Sequence, residues 1–228
     1  MNLFRVRLLL DFLAVALIIA CLAYWWLDNL SHELFGTALL LLVILHNVFN
    51  KRWYGGVAKR KMDAVRIVNL ATIVCLAIGM TVMLVTSFLV SRDLFPFTAL
   101  SGAFAVRETH MFAGYWVLLV IAVHLGTRWS VVMNVVRSTF GVQQSVVLAW
   151  IARCLTLAII IWGVRSFSEM GFGSKLMLTY SLDMWDFSET TLGFFLNYAS
   201  IVGMFVALTH YGLAAISYLI RPSVRNGA

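Results

Sequence analysis

The stretch HELFGTALLLLVILH, residues 32–46, decides the fold because it places two histidines at the ends of a mostly apolar run. The same spacing returns in HMFAGYWVLLVIAVH, residues 110–124. Fourteen residues advance an α-helix by ~21 Å and bring the side chain back to within ~40° of its starting direction. Each stretch therefore predicts one membrane-spanning helix with two imidazoles on one face, one near each side of the bilayer.

The composition predicts a membrane protein. The 228 residues are 62% hydrophobic and 12% charged, and the mean hydropathy is +0.92. Too few charges are present to cover a soluble domain of this size. We interpret the net charge of +7 as a mark of the cytoplasmic side rather than of nucleic-acid binding. Cys21, Cys75 and Cys154 lie apart in apolar runs, so they are expected to be small buried hydrophobic residues rather than disulfides or metal ligands.

The apolar runs predict an all-α chain, with residues 1–228 forming a single integral-membrane domain of six transmembrane helices. The first helix is expected in LLLDFLAVALIIACLAYWW, residues 8–26. It is expected to be retained, because Asp11 interrupts the run and a cleavable signal would end sooner. Residues 91–106 are predicted to be a loop on the membrane surface, and YSLDMWDFSETT a short interfacial helix. The other five membrane helices are predicted over residues 31–50, 64–90, 107–133, 146–166 and 192–220.

The basic residues predict the orientation. They concentrate before the first helix, between the second and third, and after the fourth and sixth. The positive-inside rule therefore places both termini in the cytoplasm. The second and fourth helices then run parallel, with His32 and His110 at the outer level and His46 and His124 at the inner level.

Facing histidines on two parallel helices predict two b-type haems, because two axial imidazoles fill both free positions of a haem iron. His32 would pair with His110, and His46 with His124, inside a four-helix core. Six-coordinate iron favours electron transfer over oxygen binding. Gly36 and Gly114 each follow the first histidine of their helix by four residues. They are expected to leave room for a flat macrocycle, and the alternative is ordinary helix packing through small residues.

Charged residues within or beside the spans are further candidates, because charges are expensive in a membrane. Arg153 is expected to bind a propionate of the inner haem or to pair with Asp11, unless it extends to the cytoplasmic interface. His210 is a candidate hydrogen-bond donor to a quinone, although a structural hydrogen bond between helices is the favoured interpretation. Other candidate propionate partners are Arg107 and Arg165 at the outer level and Arg52 and Arg128 at the inner level.

The paired H-x13-H helices resemble those of respiratory cytochromes b. The chain, with HELFGTALLLLVILHNVFNKRW, ETHMFAGYWVLLVIAVHLGTRW and YSLDMWDF, also resembles a bacterial family of integral-membrane domains related to formate dehydrogenase cytochrome b subunits. This resemblance implies two haems b in a bacterial inner membrane and electron exchange with quinone or a redox partner protein. The chain has Arg128 where many members of that family have a further histidine, so that position's role is not implied.

Three functions remain open from the sequence. The first is electron transfer between membrane quinone and a periplasmic partner, as an electron-transfer subunit or a quinone-linked oxidoreductase. The second is a stand-alone oxidoreductase acting on superoxide, ferric iron or a soluble flavoprotein, for which Lys175, Arg92 and Arg107 would form a basic funnel. The third is a haem-free transporter or assembly anchor whose histidines face a water-filled path.

Overall fold

The computed structural model describes residues 3–24, 26–51, 63–143, 145–178 and 190–220. Over these residues the chain forms seven α-helices and one 3-10 turn, Pro96–Thr98, and contains no β-strand. The predicted all-α fold is therefore confirmed. The helices are α1 Leu3–Leu22, α2 Asn29–Phe49, α3 Ala64–Val90, α4 Phe104–Phe140, α5 Val146–Glu169, α6 Phe172–Lys175 and α7 Thr191–Ile220.

Five of the described helices, α2, α3, α4, α5 and α7, are long and apolar enough to cross a membrane. The protein is therefore a membrane protein with several spanning helices. Helix α1 is different, because its 20 residues include Arg5, Arg7 and Asp11. A sixth span formed by α1 stays a prediction.

Local side-chain chemistry sets several helix ends that apolar periodicity does not predict. The carboxylates of Asp28 and Asp63 cap α2 and α3 by accepting hydrogen bonds from the main-chain N–H groups of Ser31 and Arg66, at 2.7 and 2.8 Å. Helix α4 continues beyond its predicted end at residue 133 until Gly141, which takes the left-handed conformation with φ 63°. Its 37 residues give it a length of ~55 Å.

Helix α1 lies several residues earlier in the chain than predicted. The apolar run continues to residue 26, but the helix ends at Leu22 and a turn follows. A helix end leaves its last carbonyls without partners inside the helix. The carbonyl of Cys21 is one of these, and it is used by a histidine of the candidate site.

The helices pack as two pairs and a third layer. Helix α1 packs on α2 and α3 packs on α4, while α7 packs between α4 and α5. Among the described helices, α2 packs extensively against α1 alone. The core lies where α1, α4, α6 and α7 meet, and its most completely buried residues include Ile18, Leu118, Phe172, Tyr198 and Ile201.

The seam between α5 and α7 is close-packed and partly polar. A Cβ atom added at Gly163 would lie 2.6 Å from Met204 Cβ and 2.7 Å from the carbonyl oxygen of Ser200. Ser166 is fully buried, and its hydroxyl donates to Asn197 Oδ1 at 3.0 Å. Small residues thus allow these two helices to approach each other closely, as is typical of membrane helices.

The cysteines are free thiols, but the prediction that all are buried is wrong. Cys21 is partly buried, whereas Cys75 on α3 and Cys154 on α5 are exposed. Lipid is as apolar as a protein interior, so a small apolar side chain on a spanning helix has no need to face inward.

Candidate functional site

The structure brings His32 of α2 and His110 of α4 together, as predicted. Their ring centroids are 6.2 Å apart and their planes are inclined by 71°. With metal–nitrogen bonds of ~2.0–2.1 Å, two imidazoles on opposite sides of one metal have ring centres ~6 Å apart. We call His32 and His110 the first histidine pair. Their separation is therefore compatible with one metal ion between the two rings.

His46 and His124 lie one repeat further along the same two helices, and we call them the second histidine pair. His46 and Asp11 lie near enough to His124 to interact with it electrostatically. Asp11 of α1 is 2.5 Å from His46, measured from carboxylate Oδ1 to ring Nδ1. The second pair therefore brings together three helices, α1, α2 and α4.

All four histidines form a hydrogen bond through the same ring nitrogen, Nδ1, to a group on a neighbouring helix. In the described part of the chain, none of them uses Nε2 for a hydrogen bond. Metal-binding histidines have this pattern, because the hydrogen bond of one ring nitrogen fixes the ring and leaves the other nitrogen for the metal. The Nδ1 partners are Cys21 O for His32 at 3.0 Å, Asp11 Oδ1 for His46 at 2.5 Å, Thr86 Oγ1 for His110 at 2.9 Å and Thr72 Oγ1 for His124 at 3.4 Å.

Two threonines of α3 fix the protonation of the histidines on α4. Each hydroxyl donates its own proton to a main-chain carbonyl of α3, at 2.9 Å for Thr72 and 2.7 Å for Thr86. It can therefore only accept from the histidine, so Nδ1 carries the proton and Nε2 has a free lone pair. Thr72 and Thr86 are not among the predicted site residues, although their spacing of fourteen repeats that of His110 and His124.

The carbonyl of Cys21 has the same effect on His32. It belongs to the last turn of α1, where a carbonyl lacks a partner within the helix, and it accepts from His32 Nδ1 at 3.0 Å. A carbonyl oxygen can only accept, so this bond also places the proton on Nδ1. The early end of α1 thus serves the first histidine pair.

Asp11 pairs with His46 and not with Arg153, so that predicted ion pair is wrong. The guanidinium of Arg153 lies 5.1 Å from the ring centre of Trp150, one turn earlier on the exposed face of α5. Helix α5 packs against α6 and α7 and not extensively against α1. Asp11 is half-buried and gains more from a polar partner on the adjacent α2, because an unpaired charge in an apolar region is costly.

The two predicted glycines have different surroundings. A Cβ atom added at Gly36 would meet no atom within 4 Å, whereas one at Gly114 would come within 3.8 Å of the Met83 side chain. Gly36 follows His32 by about one helical turn, so it lies on a similar face of α2. No atom of the described residues therefore fills the space beside Gly36 on α2, whereas the contact at Gly114 is an ordinary van der Waals contact.

The structure places the predicted arginines in separate surroundings. Arg107 and Arg128 are exposed on α4, each within about one turn of a histidine. The Arg165 guanidinium pairs with Glu169 at 2.7 Å on the exposed face of α5. Arg52 lies outside the described residues.

Arg7 is not among the predicted site residues, yet it lies beside the second histidine pair. It stands one turn before Asp11 on α1, and its guanidinium carbon lies 5.6 Å from the ring centre of Phe49 on α2. Within the described residues, its Nε is the one buried side-chain nitrogen or oxygen without a hydrogen-bond partner. A buried N–H of this kind is available to an anion.

Glu33, next to His32, joins α2 to the end of α3. Its carboxylate accepts hydrogen bonds from the main-chain N–H groups of Arg92 and Leu94, at 2.7 and 2.8 Å, and from the Ser91 hydroxyl at 2.7 Å. These bonds fix the start of α2, and with it His32. The sequence does not predict this role, because the partners are mainly backbone groups of a distant loop.

Lys175 is part of an aromatic cluster between α4 and α7. Its ammonium lies 5.2 Å from the ring centre of Tyr115 and 5.9 Å from that of Tyr198, and it donates to the Tyr198 hydroxyl at 3.3 Å. Arg92 and Arg107 are exposed at the ends of α3 and α4. Lys175 therefore contacts two tyrosines, and the basic funnel predicted for these three cations stays a prediction.

His210 does not form the interhelical hydrogen bond that the sequence favoured. It is partly exposed on α7, its ring is in edge contact with that of Tyr211, and its side chain has no hydrogen-bond partner in the described part of the chain. His210 is therefore half-buried on the face of α7 that also carries the buried Val206 and Leu213.

Comparison of the chain with protein-family models, curated proteins and solved structures found no match. The resemblance to membrane cytochromes b stays a prediction. Among the described residues, no group of three or more His, Cys, Asp or Glu side chains is placed to hold a metal ion. The candidate site is thus two pairs of histidines, each ring fixed through Nδ1.

Proposed function

We propose that the protein transfers electrons across a membrane through two b-type haems. The observation that carries this proposal is the common hydrogen-bonding pattern of the four histidines. Each donates through Nδ1 and leaves Nε2 for a ligand. Generic packing histidines would not be expected to use one nitrogen uniformly, with four different acceptors from two helices.

The residues present fit the group. His32 and His110 would hold one haem iron at the first level, where their 6.2 Å separation suits one iron, and His46 and His124 would hold another at the second. Bound haem supplies one-electron exchange at its iron with little change of coordination. Open space at Gly36 suits the edge of a macrocycle.

The propionates of each haem need cationic or N–H partners. At the second level, Arg7 has a buried N–H without a partner, and Arg128 is one turn from His124. At the first level, Arg107 is close in sequence to His110. Arg52, Arg153 and Arg165 remain candidates from the sequence, of which Arg165 is already paired with Glu169.

The residues around the histidines hold the ligands still. Thr72, Thr86, Asp11 and the Cys21 carbonyl keep each ring in one orientation and one tautomer. A fixed ligand set needs little rearrangement when an electron arrives, and this favours fast transfer. The two levels are ~21 Å apart along the helix axis, and the macrocycles would shorten the gap from edge to edge.

We infer that the electrons pass between membrane quinone and a redox partner protein on the periplasmic side. The distribution of basic residues supports both termini in the cytoplasm and α1 as the sixth span, and the resemblance to membrane cytochromes b supports a bacterial inner membrane. His210 is the candidate hydrogen-bond donor to a quinone carbonyl, because its side chain has no hydrogen-bond partner in the described part of the chain.

The test is an absorption spectrum of the purified, reduced protein beside His46→Ala and His110→Ala. The wild type should show a haem b α-band, and each variant should lose about half of it, with different midpoint potentials left behind. His210→Ala is the matched control and should keep both haems. A colourless wild type would overturn the proposal and favour a haem-free transporter or assembly anchor.

A further inference from the structure

The two histidine pairs differ in one feature, which is the charge of the group that accepts the Nδ1 proton. In the first pair the acceptors are neutral, a main-chain carbonyl for His32 and a hydroxyl for His110. In the second pair, His124 also has a hydroxyl partner. His46 alone donates to a carboxylate, that of Asp11, at 2.5 Å.

A carboxylate acceptor changes the ligand more than a neutral acceptor does. It attracts the Nδ1 proton strongly, because hydrogen bonds to an ionised partner are short and roughly twice as strong as neutral ones. The imidazole thereby gains electron density at Nε2 and becomes a more basic ligand. A more basic ligand, with a negative charge beside it, stabilises the ferric state relative to the ferrous state.

We propose that Asp11 is a positioning residue that gives the haem of the second histidine pair the lower reduction potential. This inference rests on the proposed function. In the half-reduced protein, the electron then resides mainly at the first pair, the level of His32 and His110. The one carboxylate thus sets the direction in which an electron moves spontaneously between the two levels.

Other charges also act on the two levels, but among the charged side chains of the described residues Asp11 alone bonds directly to one of the four histidines. Arg7 is one turn from Asp11, but no ion pair joins the two; in the described part of the chain Asp11 pairs with His46. Arg128 interacts electrostatically with His124, but it is exposed, so solvent or headgroups screen part of its charge. At the first level, Glu33 interacts electrostatically with His32, but its carboxylate bonds to main-chain N–H groups and a hydroxyl rather than to the ring.

The experiment is a redox titration, followed optically, of Asp11→Asn in the His110→Ala background, where only the second haem is expected. Asparagine keeps the size of the side chain and removes the charge. The reduction equilibrium of that haem should shift by about tenfold or more, which is ~59 mV upward for a one-electron couple. Asp63→Asn is the control, because it removes a charge at the N-terminus of α3, where asparagine caps equally well, and it should leave the potential unchanged.

A second measurement covers the case in which Asp11→Asn does not retain haem. In His46→Ala, which keeps only the first haem, the remaining midpoint should match the higher of the two wild-type midpoints. A second haem that stays bound in Asp11→Asn without a shift in potential would overturn the inference and leave the proposed function intact, as would a midpoint in His46→Ala that matches the lower one. A wild type without haem would instead overturn the proposed function.

Discussion

The helices are closely packed at the seam between α5 and α7, but they lie apart in the region between α2 and α4. At Gly163 an added Cβ would collide with Met204 and with the backbone of Ser200, whereas at Gly36 it would meet nothing. One region is closed by direct helix contact. The other holds two helices apart while fixing the histidines that face each other. Close helix packing is thus concentrated among α4, α5 and α7, whereas unfilled space remains beside the histidines.

Substituting leucine for the two glycines tests this contrast most strongly. Gly163→Leu forces α5 away from α7 and should destabilise the fold by about 3 kcal/mol, because overpacking cannot be relieved against a backbone atom. Thermal unfolding in detergent measures the loss. Gly36→Leu should unfold like the wild type but bind less haem, because it fills open space. Equal destabilisation by both substitutions would show that Gly36 is also a packing residue.

The link between Glu33 and the end of α3 should contribute the next largest effect. Glu33→Gln replaces a carboxylate that accepts from several backbone N–H groups, and each hydrogen bond to a charged group contributes ~1.5–3 kcal/mol. Gln retains one acceptor oxygen, so we expect a net loss of about 2 kcal/mol in the free energy of unfolding. The haem of the first pair should loosen more than that of the second, as shown by its release at intermediate denaturant.

Glu169→Gln is the matched control for that variant. Its carboxylate pairs with Arg165 four residues away on an exposed helix face, and such pairs contribute only ~0.3–0.5 kcal/mol. If Glu33→Gln behaved like Glu169→Gln, the carboxylate would not be what holds α2 in place.

The threonine partners should have a smaller but specific effect. Thr86→Val keeps the shape of the side chain and removes the acceptor for His110, so the affinity for one haem should fall about tenfold, the lower end of the range for loss of a ligand's hydrogen-bond partner. Thr72→Val should do the same for the other haem. Thr81→Val is the control on the same helix, because its hydroxyl bonds only to Ala77 O of its own helix. The affinity is measured as the fraction of haem that each variant retains in competition with an apo-protein that binds haem.

The histidines could be predicted from the sequence because their spacing is a property of a single helix. The hydrogen-bond acceptors of the histidine rings are harder to predict. Thr72 and Thr86 repeat the spacing of fourteen, but two threonines in an apolar helix commonly bond to their own backbone, and both do so here. Only the packing of α3 on α4 shows that the same hydroxyls also accept from histidine.

Some of these acceptors cannot be predicted from any sequence pattern. The acceptor for His32 is a main-chain carbonyl, which every residue has, and it is available only because α1 ends at Leu22. Helix ends depend on caps and turns, so apolar periodicity placed α1 too late and ended α4 too early. Asp11 is recognisable as unusual within an apolar run, but its partner is not, because the sequence does not show which helix packs on α1.

The hydroxyl of Ser166 should contribute least, although the residue is fully buried between α5 and α7. Ser166→Ala leaves its former partners with other bonds, since Asn197 Oδ1 still accepts from Trp162 at 3.2 Å and the Ser200 hydroxyl still donates to the Asn197 carbonyl at 2.7 Å. We expect a loss of ~0.6 kcal/mol, typical of interhelical hydrogen bonds in membranes. Thermal unfolding beside the exposed Ser168→Ala would measure it. A loss as large as that of Gly163→Leu would mean that polar bonds, rather than close approach, hold this seam.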